Sequence, residues 1–223
     1  EYAVAPEAAL ATKPKTLTFE EAAAIPAAAV TALQALRDHG KIQAGEKVLV
    51  NGASGGVGSF AVQLAKHFGA EVTGVCSARN VDRVRAMGAD HVIDYTEEDF
   101  AAGDLRYDLI HAANGNRSIF DYKRALSENG RYIMSGGDMG QFYQVMLLGP
   151  IISMLGSQKM SNMLVSPNGK DLAFIGGLIE AGEIIPTIDR QYPLAEVADA
   201  IRYMEDEHAQ GKIVISMGVA DET

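Results

Sequence analysis

Residues Val48 to Ala61 read Val-Leu-Val-Asn-Gly-Ala-Ser-Gly-Gly-Val-Gly-Ser-Phe-Ala. An apolar run ends in a glycine-rich loop, and the loop opens a stretch whose apolar residues, Val57, Ala61, Leu64, Ala65 and Phe68, fall at helical spacing before Gly69. Glycines at such a strand-to-helix turn let the chain leave the strand sharply, let backbone N–H groups approach a bound phosphate, and let helix and strand pack closely. Gly55, Gly56 and Gly58 are available for these roles. The anion would sit at the helix N-terminus, where unpaired N–H groups and the positive dipole end favour negative charge. The pattern is Ala53-x-Gly55-x-x-Gly58, with alanine where the commonest version has glycine, so a glycine-rich turn in another βαβ unit is the alternative. No Gly-Lys-Ser/Thr follows, which excludes a Walker loop.

Around this turn the chain alternates strand and helix. Thr18-Phe-Glu-Glu21 fits a capping box, and Ala22 to Arg37 is an alanine-rich helical stretch interrupted at Pro26 and closed by Gly40. Strands are expected at Lys47 to Val50, Val72 to Cys76, His91 to Ile93, Asp108 to Ala112 and Arg131 to Ser135. Helices are expected at Val81 to Met87, around Ile119 to Leu126, and at Lys170 to Ala181. Single helices between strands imply right-handed crossovers and a parallel sheet, hence an α/β fold of the Rossmann, doubly wound kind. After Gly182 the rhythm changes to an extended Ile184 to Tyr192, an amphipathic helix carrying Leu194 to Met204, and a last strand, Lys212 to Ser216. Between Asp138 and Ser161 lies an apolar stretch with Met139, Met146, Met154 and Met160. It fits a substrate mouth, a subunit contact or plain core.

Composition narrows the function classes. The chain has 223 residues, 19 basic and 29 acidic, for a net charge of −10. That balance disfavours nucleic acid and anionic membrane as partners. Cys76 is the single cysteine, so a disulfide framework is excluded and a reducing, cytoplasmic setting is expected. The longest apolar run, Val145 to Leu155, contains Gly149-Pro150 and is too short to span a bilayer, so integral membrane association is not expected. The first residue is Glu1 rather than methionine, and Glu1 to Leu10 reads like the end of an edge strand with nothing before it. Both features suggest a fragment.

The second strand bears on the cofactor. In NAD-binding versions of this fold a carboxylate about twenty residues beyond the glycine loop bonds the ribose 2′-hydroxyl. Ser77 stands there, followed by Ala78, Arg79 and Asn80. A hydroxyl, a guanidinium fork and an amide suit a 2′-phosphate, and no carboxylate repels it, so NADP(H) is expected over NAD(H). The competing reading has Ser77 capping the next helix and Arg79 as a solvated surface charge.

The run from Val48 to Gly58, then Gly-Ala-Asp-His-Val-Ile-Asp-Tyr at 88–95 and His-Ala-Gln-Gly-Lys-Ile-Val-Ile at 208–215, resembles the medium-chain dehydrogenase/reductase superfamily, most closely its zinc-free quinone-oxidoreductase-like branch. The resemblance covers essentially the whole chain. It implies three parts: residues 1–22 as the trailing edge of a missing N-terminal GroES-like catalytic domain, 23–183 as the NAD(P)-binding Rossmann domain, and 184–223 as a C-terminal segment returning to the catalytic domain. It further implies that the backbone of Ser54, Gly55, Gly56, Val57 and Gly58 holds the pyrophosphate and that Ser77, Arg79 and Tyr95 lie near the 2′-phosphate. Thr31 would approach the nicotinamide carboxamide, and Ala113, Asn114, Ser135 and Gly136 would line the nicotinamide side. The family usually has aspartate at the place of Ala112, so the ribose-side contacts are open.

Zinc-dependent relatives have a metal-binding cysteine where this chain has Ala27, and His39, His67, His91, His111 and His208 show no ligand spacing, so no metal is expected. The activity implied is hydride transfer from NADPH to a small-molecule acceptor, a quinone or an α,β-unsaturated carbonyl. No side chain stands out as a proton donor. An alcohol dehydrogenase and a non-catalytic NADPH-binding module are the alternatives. Many relatives dimerise through the edge of the Rossmann sheet, so a homodimer of that kind is expected.

Overall fold

The computed structural model describes residues 4–206 and 209–217. Residues 1–3 and 218–223, the ends of the two outer parts expected from the sequence, and His208 of the third motif lie outside the described residues. The central sheet has six strands: β1 (Lys47–Asn51), β2 (Glu71–Cys76), β3 (His91–Asp94), β4 (Tyr107–Ala112), β5 (Leu126–Met134) and β6 (Lys159–Asn162). They lie in the order β3-β2-β1-β4-β5-β6, and every neighbouring pair is parallel. The chain winds outward from β1 to β3, returns to β4 beside β1, and winds outward again to β6. The doubly wound sheet expected from the alternation is therefore present.

Strand alternation sorts the core into two layers. From β1, Val48 and Val50 face one side with Leu33, Leu36, Phe60 and Leu64, while Leu49 faces the other with Ile119, Tyr122 and Tyr132. The first layer is covered by α2 (Pro26–Leu33), α3 (Gly56–His67) and α7 (Gly169–Glu180). The second is covered by α5 (Ile119–Ala125) and α6 (Met139–Leu155). The capping box at Thr18 is formed ahead of α1 (Phe19–Ala23): its side chain accepts from the Glu21 N–H, and Glu21 accepts from the Thr18 N–H at 2.8 Å. Between β2 and β3 runs the short α4 (Val81–Ala86). Outside the main sheet, β7 (Ile188–Pro193) and β8 (Lys212–Ser216) pair parallel in a small sheet of their own, joined by α8 (Val197–Asp206).

Two expectations change. Residues 7–9 of the presumed edge strand form a 3-10 turn, because Pro6 sets φ at −61° just before it and the Glu-Ala-Ala run has little β-propensity. The Leu10 carbonyl then lies directly on the backbone of Gly169, where a side chain would find no room. The stretch from 138 to 161 holds a helix that runs through Pro150, followed by the short strand β6 that periodicity alone does not reveal. Three of its methionines are not core: Met139, Met146 and Met154 are exposed, and only Met160, on β6, is buried.

One buried acidic group ties the π-helical segment Gln34–His39, which continues α2, to α7. The Asp171 side chain, 6% exposed, accepts from Gln34 Nε2 and Arg37 Nη2, each at 2.7 Å, and from Asn168 Nδ2 at 2.8 Å. Burial pushes its carboxyl up, but the Gln34, Arg37 and Asn168 donors outweigh this and hold it below the usual carboxylate range. Asp171→Ala leaves these donors without their acceptor. An unfolding loss of about 2 kcal/mol is expected in urea titration, below the range for fully buried pairs because Arg37 is partly solvated.

Candidate functional site

The turn after β1 is made by a glycine outside the recognised spacing. Gly52 has φ +85°, and the Gly52 and Ala53 N–H groups both donate to the Val75 carbonyl of β2, at 3.1 and 3.0 Å. Gly55, with φ −78°, caps α3 in extended backbone and leaves the helix start without a side-chain cap. Ala53 is fully buried, and its methyl faces Gly74, where a Cβ would lie 3.0 Å from it. Alanine is thus compatible with the loop, because the left-handed position is Gly52. Gly58 supplies close approach: a Cβ there would fall directly on the Gly52 carbonyl oxygen and 2.9 Å from Ala53 Cα. The first helical turn consequently lies tight under the loop with its N–H groups directed at the sheet's C-terminal edge.

The ends of β1, β4 and β5 are stitched together at the point where the winding direction reverses. The Ala113 and Asn114 N–H groups donate to the Asn51 carbonyl at 3.0 and 3.1 Å, and Asn51 Nδ2 donates to the Asn114 carbonyl and to Tyr122 Oη at 2.9 and 2.7 Å. Gln141 Nε2 donates to Tyr132 Oη at 2.8 Å. Burial pushes both phenols above their ordinary values, so both remain protonated. The Ser135 N–H donates to Ala112, and the Gly115 N–H donates to Gly136 at 2.8 Å. A Cβ on Gly136 would lie 2.7 Å from the Ala113 carbonyl. Ser135 Oγ lies 2.8 Å from Nε2 of the fully buried His111.

An open cleft of about 1220 Å³ starts at this edge. Asn51, Gly52, Ser54 and Gly55 form one end with Ala113 and Asn114, and Ser77, Arg79 and Tyr95 line it farther along β2 and β3. Ser77 does not cap with its side chain; its Oγ accepts from Asn80 Nδ2 at 3.1 Å. Tyr95 is exposed. Across the cleft, Arg117 pairs with Asp99 at 2.5 Å and lies over the Phe100 ring. The Ala101 N–H, and after it the Arg117 guanidinium, hold the Asp99 carboxyl below its usual range. Cys76 also lines the cleft, but burial pushes its thiol up to about 11, so it carries no thiolate at neutral pH.

Seven of the residues singled out in the sequence therefore share one cleft: Ser54, Gly55, Ser77, Arg79, Tyr95, Ala113 and Asn114. Gly56, Val57 and Gly58 lie behind the loop in α3, and Ser135 and Gly136 follow β5 at the same sheet edge. Thr31 does not line the cleft; its hydroxyl donates to the Ala27 carbonyl one helical turn back, at 2.6 Å. Residues missed in the sequence are Asn51, Gly52, Phe100, Arg117 and His111. Asn51-Gly52 is itself a turn signal that could have been used, whereas the other three meet the site only through folding.

Among the described residues no three His, Cys, Asp or Glu side chains gather closely enough to share a metal ion. No helix of the described residues is long and apolar enough to cross a membrane. The model of the family described as "Zinc-binding dehydrogenase" matches residues 87–215. The chain is 37% identical to the "Chloroplast envelope quinone oxidoreductase homolog" of Arabidopsis thaliana, over 96% of this chain and 67% of that protein. It is 34% identical to the "NADPH-dependent alkenal/one oxidoreductase, chloroplastic" of the same organism, over 96% of this chain and 52% of that one. Among solved structures, an NAD-dependent alcohol dehydrogenase superposes with a TM-score of 0.85 at 31% identity, over 96% of this chain and 63% of that one. The chain spans about half to two thirds of the length of these relatives. The glycine loop and the strand ends fit a dinucleotide. By sequence and by fold, the chain belongs to the zinc-binding dehydrogenase family within the medium-chain dehydrogenase/reductase superfamily, and it is quinone-oxidoreductase-like.

Proposed function

We propose that the protein is an NADPH-dependent oxidoreductase that reduces a quinone or an α,β-unsaturated carbonyl without a metal. The observation that carries the reading is the cleft at the β1/β4 reversal, with the glycine loop at one end and Ser77 and Arg79 just past β2, at the place where NAD-binding versions of the fold have a carboxylate. In this reading the N–H groups of Ser54 to Gly58 hold the pyrophosphate, and Ser77, Arg79 and Tyr95 hold the 2′-phosphate. Ala113, Asn114, Ser135 and Gly136 border the nicotinamide, with Thr31 outside the cleft and its hydroxyl bonded to Ala27. A nicotinamide bound there supplies the hydride; the protein's part is to position it and to keep the reacting face dry. The metal-free part of the reading rests on Ala27, which stands where zinc-dependent relatives have a metal-binding cysteine. The names of the quinone and alkenal oxidoreductase relatives support the acceptor class. A reducing compartment such as the cytoplasm belongs to the same reading, supported by the single cysteine.

The likeness to an NAD-dependent alcohol dehydrogenase favours a second reading, alcohol oxidation with NAD. Fluorescence titration with NADPH and NADH separates the two, followed by assays with quinones, enones and alcohols. Tighter NADPH binding is expected, and Arg79→Ala is expected to weaken NADPH by about 1 to 3 kcal/mol while leaving NADH unchanged. Equal affinities in the unmutated protein sink the NADPH assignment, and turnover of alcohols alone favours the second reading. NADPH binding without turnover of any acceptor by a longer form carrying the N-terminal portion of the relatives would favour a non-catalytic module.

We also propose that residues 1–22 and 184–223 belong with a second, catalytic domain, a reading supported by the separate β7/β8 sheet. A homodimer through the sheet edge is part of the same proposal. Among the described residues β6 pairs only with β5, and the adjoining α6 exposes Met146, Leu147, Ile151 and Met154. Leu147→Glu with Met154→Glu is expected to convert a dimer to a monomer in sedimentation velocity. A parent protein that sediments as a monomer at tens of micromolar contradicts this contact.

A further inference from the structure

His111 is costly where it stands. It lies on β4 in register with Val50 of β1 and Ile133 of β5, in the middle of the sheet, and Leu109, Ile110 and Ala112 of the same strand are buried and apolar. An imidazole in such surroundings loses its hydration, and only one of its nitrogens is compensated. Nε2 lies 2.8 Å from Ser135 Oγ, whereas Nδ1 is buried without a hydrogen-bond partner. Burial pushes its pKa down to about 4, so at neutral pH the ring is neutral and carries one N–H. Were that proton on Nδ1, a buried donor would be orphaned. With the proton on Nε2 the orphan is an acceptor lone pair, the less costly arrangement. Nε2–H therefore donates to Ser135 Oγ, and the Ser135 hydroxyl proton is left to point elsewhere.

Ser135 follows directly on the end of β5 and is partly exposed, at the edge where β1 and β4 also end. We infer that His111 is a positioning residue for the nicotinamide end of the cleft: it holds Ser135 Oγ as an acceptor, so that the serine O–H is presented as a donor to the carboxamide oxygen of the cofactor. This rests on the proposed nicotinamide reading. It accounts for a polar side chain at a strand position that packing alone would fill with a hydrophobe.

The test compares two ligands in the unmutated protein and in His111→Phe, His111→Gln and Ser135→Ala. NADPH carries the carboxamide, and 2′,5′-ADP carries the 2′-phosphate but lacks the nicotinamide half. His111→Phe is expected to weaken NADPH about three- to tenfold, the range of one hydrogen bond, and to leave 2′,5′-ADP within about twofold. The glutamine variant keeps an N–H donor near the place of Nε2 and is expected to restore NADPH binding. Ser135→Ala should match His111→Phe, with the double variant no worse than either single one. Equal loss of both ligands in His111→Phe indicates a merely structural role and overturns the inference. So does unchanged NADPH affinity, or effects of His111→Phe and Ser135→Ala that simply add. An unmutated protein that binds neither ligand overturns the nicotinamide reading itself. One that binds both, with variants that fail the pattern, overturns only the role of His111.

Discussion

Gly58→Ala is expected to destabilise the protein by about 3 kcal/mol, the upper end of what overpacking costs. The new methyl would fall on the Gly52 carbonyl oxygen, 2.8 Å from the Gly52 carbonyl carbon and 2.9 Å from Ala53 Cα. All three are backbone atoms of the same tight turn, so no side-chain rotation relieves the clash. The start of α3 must move away from β1, and the loop opens. For a chain of this length the loss corresponds to a fall in melting temperature of about 6 to 12 °C. Gly55→Ala is the control, because its nearest neighbour would be the Gly52 carbonyl oxygen at 3.4 Å, an ordinary contact. Scanning calorimetry should find Gly55→Ala near the parent and Gly58→Ala well below it. Equal melting temperatures would show that the turn is not as tight as the backbone distances state.

The second large effect is acid destabilisation through His111. Folding pushes its pKa from an ordinary 6.5 down to about 4, through burial alone. Between those values the unfolded chain takes up a proton that the folded protein refuses, so stability rises with pH across this window. The contribution is whole above 6.5 and is lost as pH falls toward 4. At 1.36 kcal/mol per pH unit the loss is about 3 kcal/mol. The carboxylates with depressed values, Asp90, Asp99 and Asp171, act in the same direction but below about pH 4, where the unfolded carboxyls begin to protonate. Urea titrations between pH 4 and 7 should therefore show a slope in the parent that His111→Gln largely removes. A slope that persists in that variant would assign the effect to another group.

These two residues differ in how far they were legible beforehand. Gly58 belongs to a local pattern: strand, turn and helix are consecutive, so the spacing of Gly55 and Gly58 already implied a close approach. The sharp turn off the strand, expected at one of Gly55, Gly56 and Gly58, is made at Gly52, which lies on the strand side of the motif and is identified only by its φ of +85°. His111 looked like one of five histidines without ligand spacing. Its partner is Ser135, and the pairing depends on the parallel register between β4 and β5. Arg117 and Phe100 were missed for the same reason, since they reach the cleft from separate loops.

The exposed helix α6 shows the limit of composition in another way. Its run of Met, Leu and Ile is compatible with core, pocket or interface, because hydrophobicity states a preference for burial without naming what supplies it. The strand β6 was not visible because four residues with one buried side chain carry no period. Over the described residues of the edge strand expected at Glu1 to Leu10, Pro6 instead starts the 3-10 turn at Glu7–Ala9.

The sequence by itself determined what is local: the alternation of strand and helix, the phosphate-sized glycine turn, the polar end of β2 at Ser77 and Arg79, and from these the doubly wound sheet. Periods of 2 and 3.6 residues and glycine backbone freedom act over a few neighbours, so they can be read in one dimension. The tertiary structure alone decided which strand ends meet, which methionines stay exposed, and that a buried histidine sits behind Ser135. Those outcomes depend on sheet order and register, which bring together residues far apart in the chain whose types alone record no preference for one another.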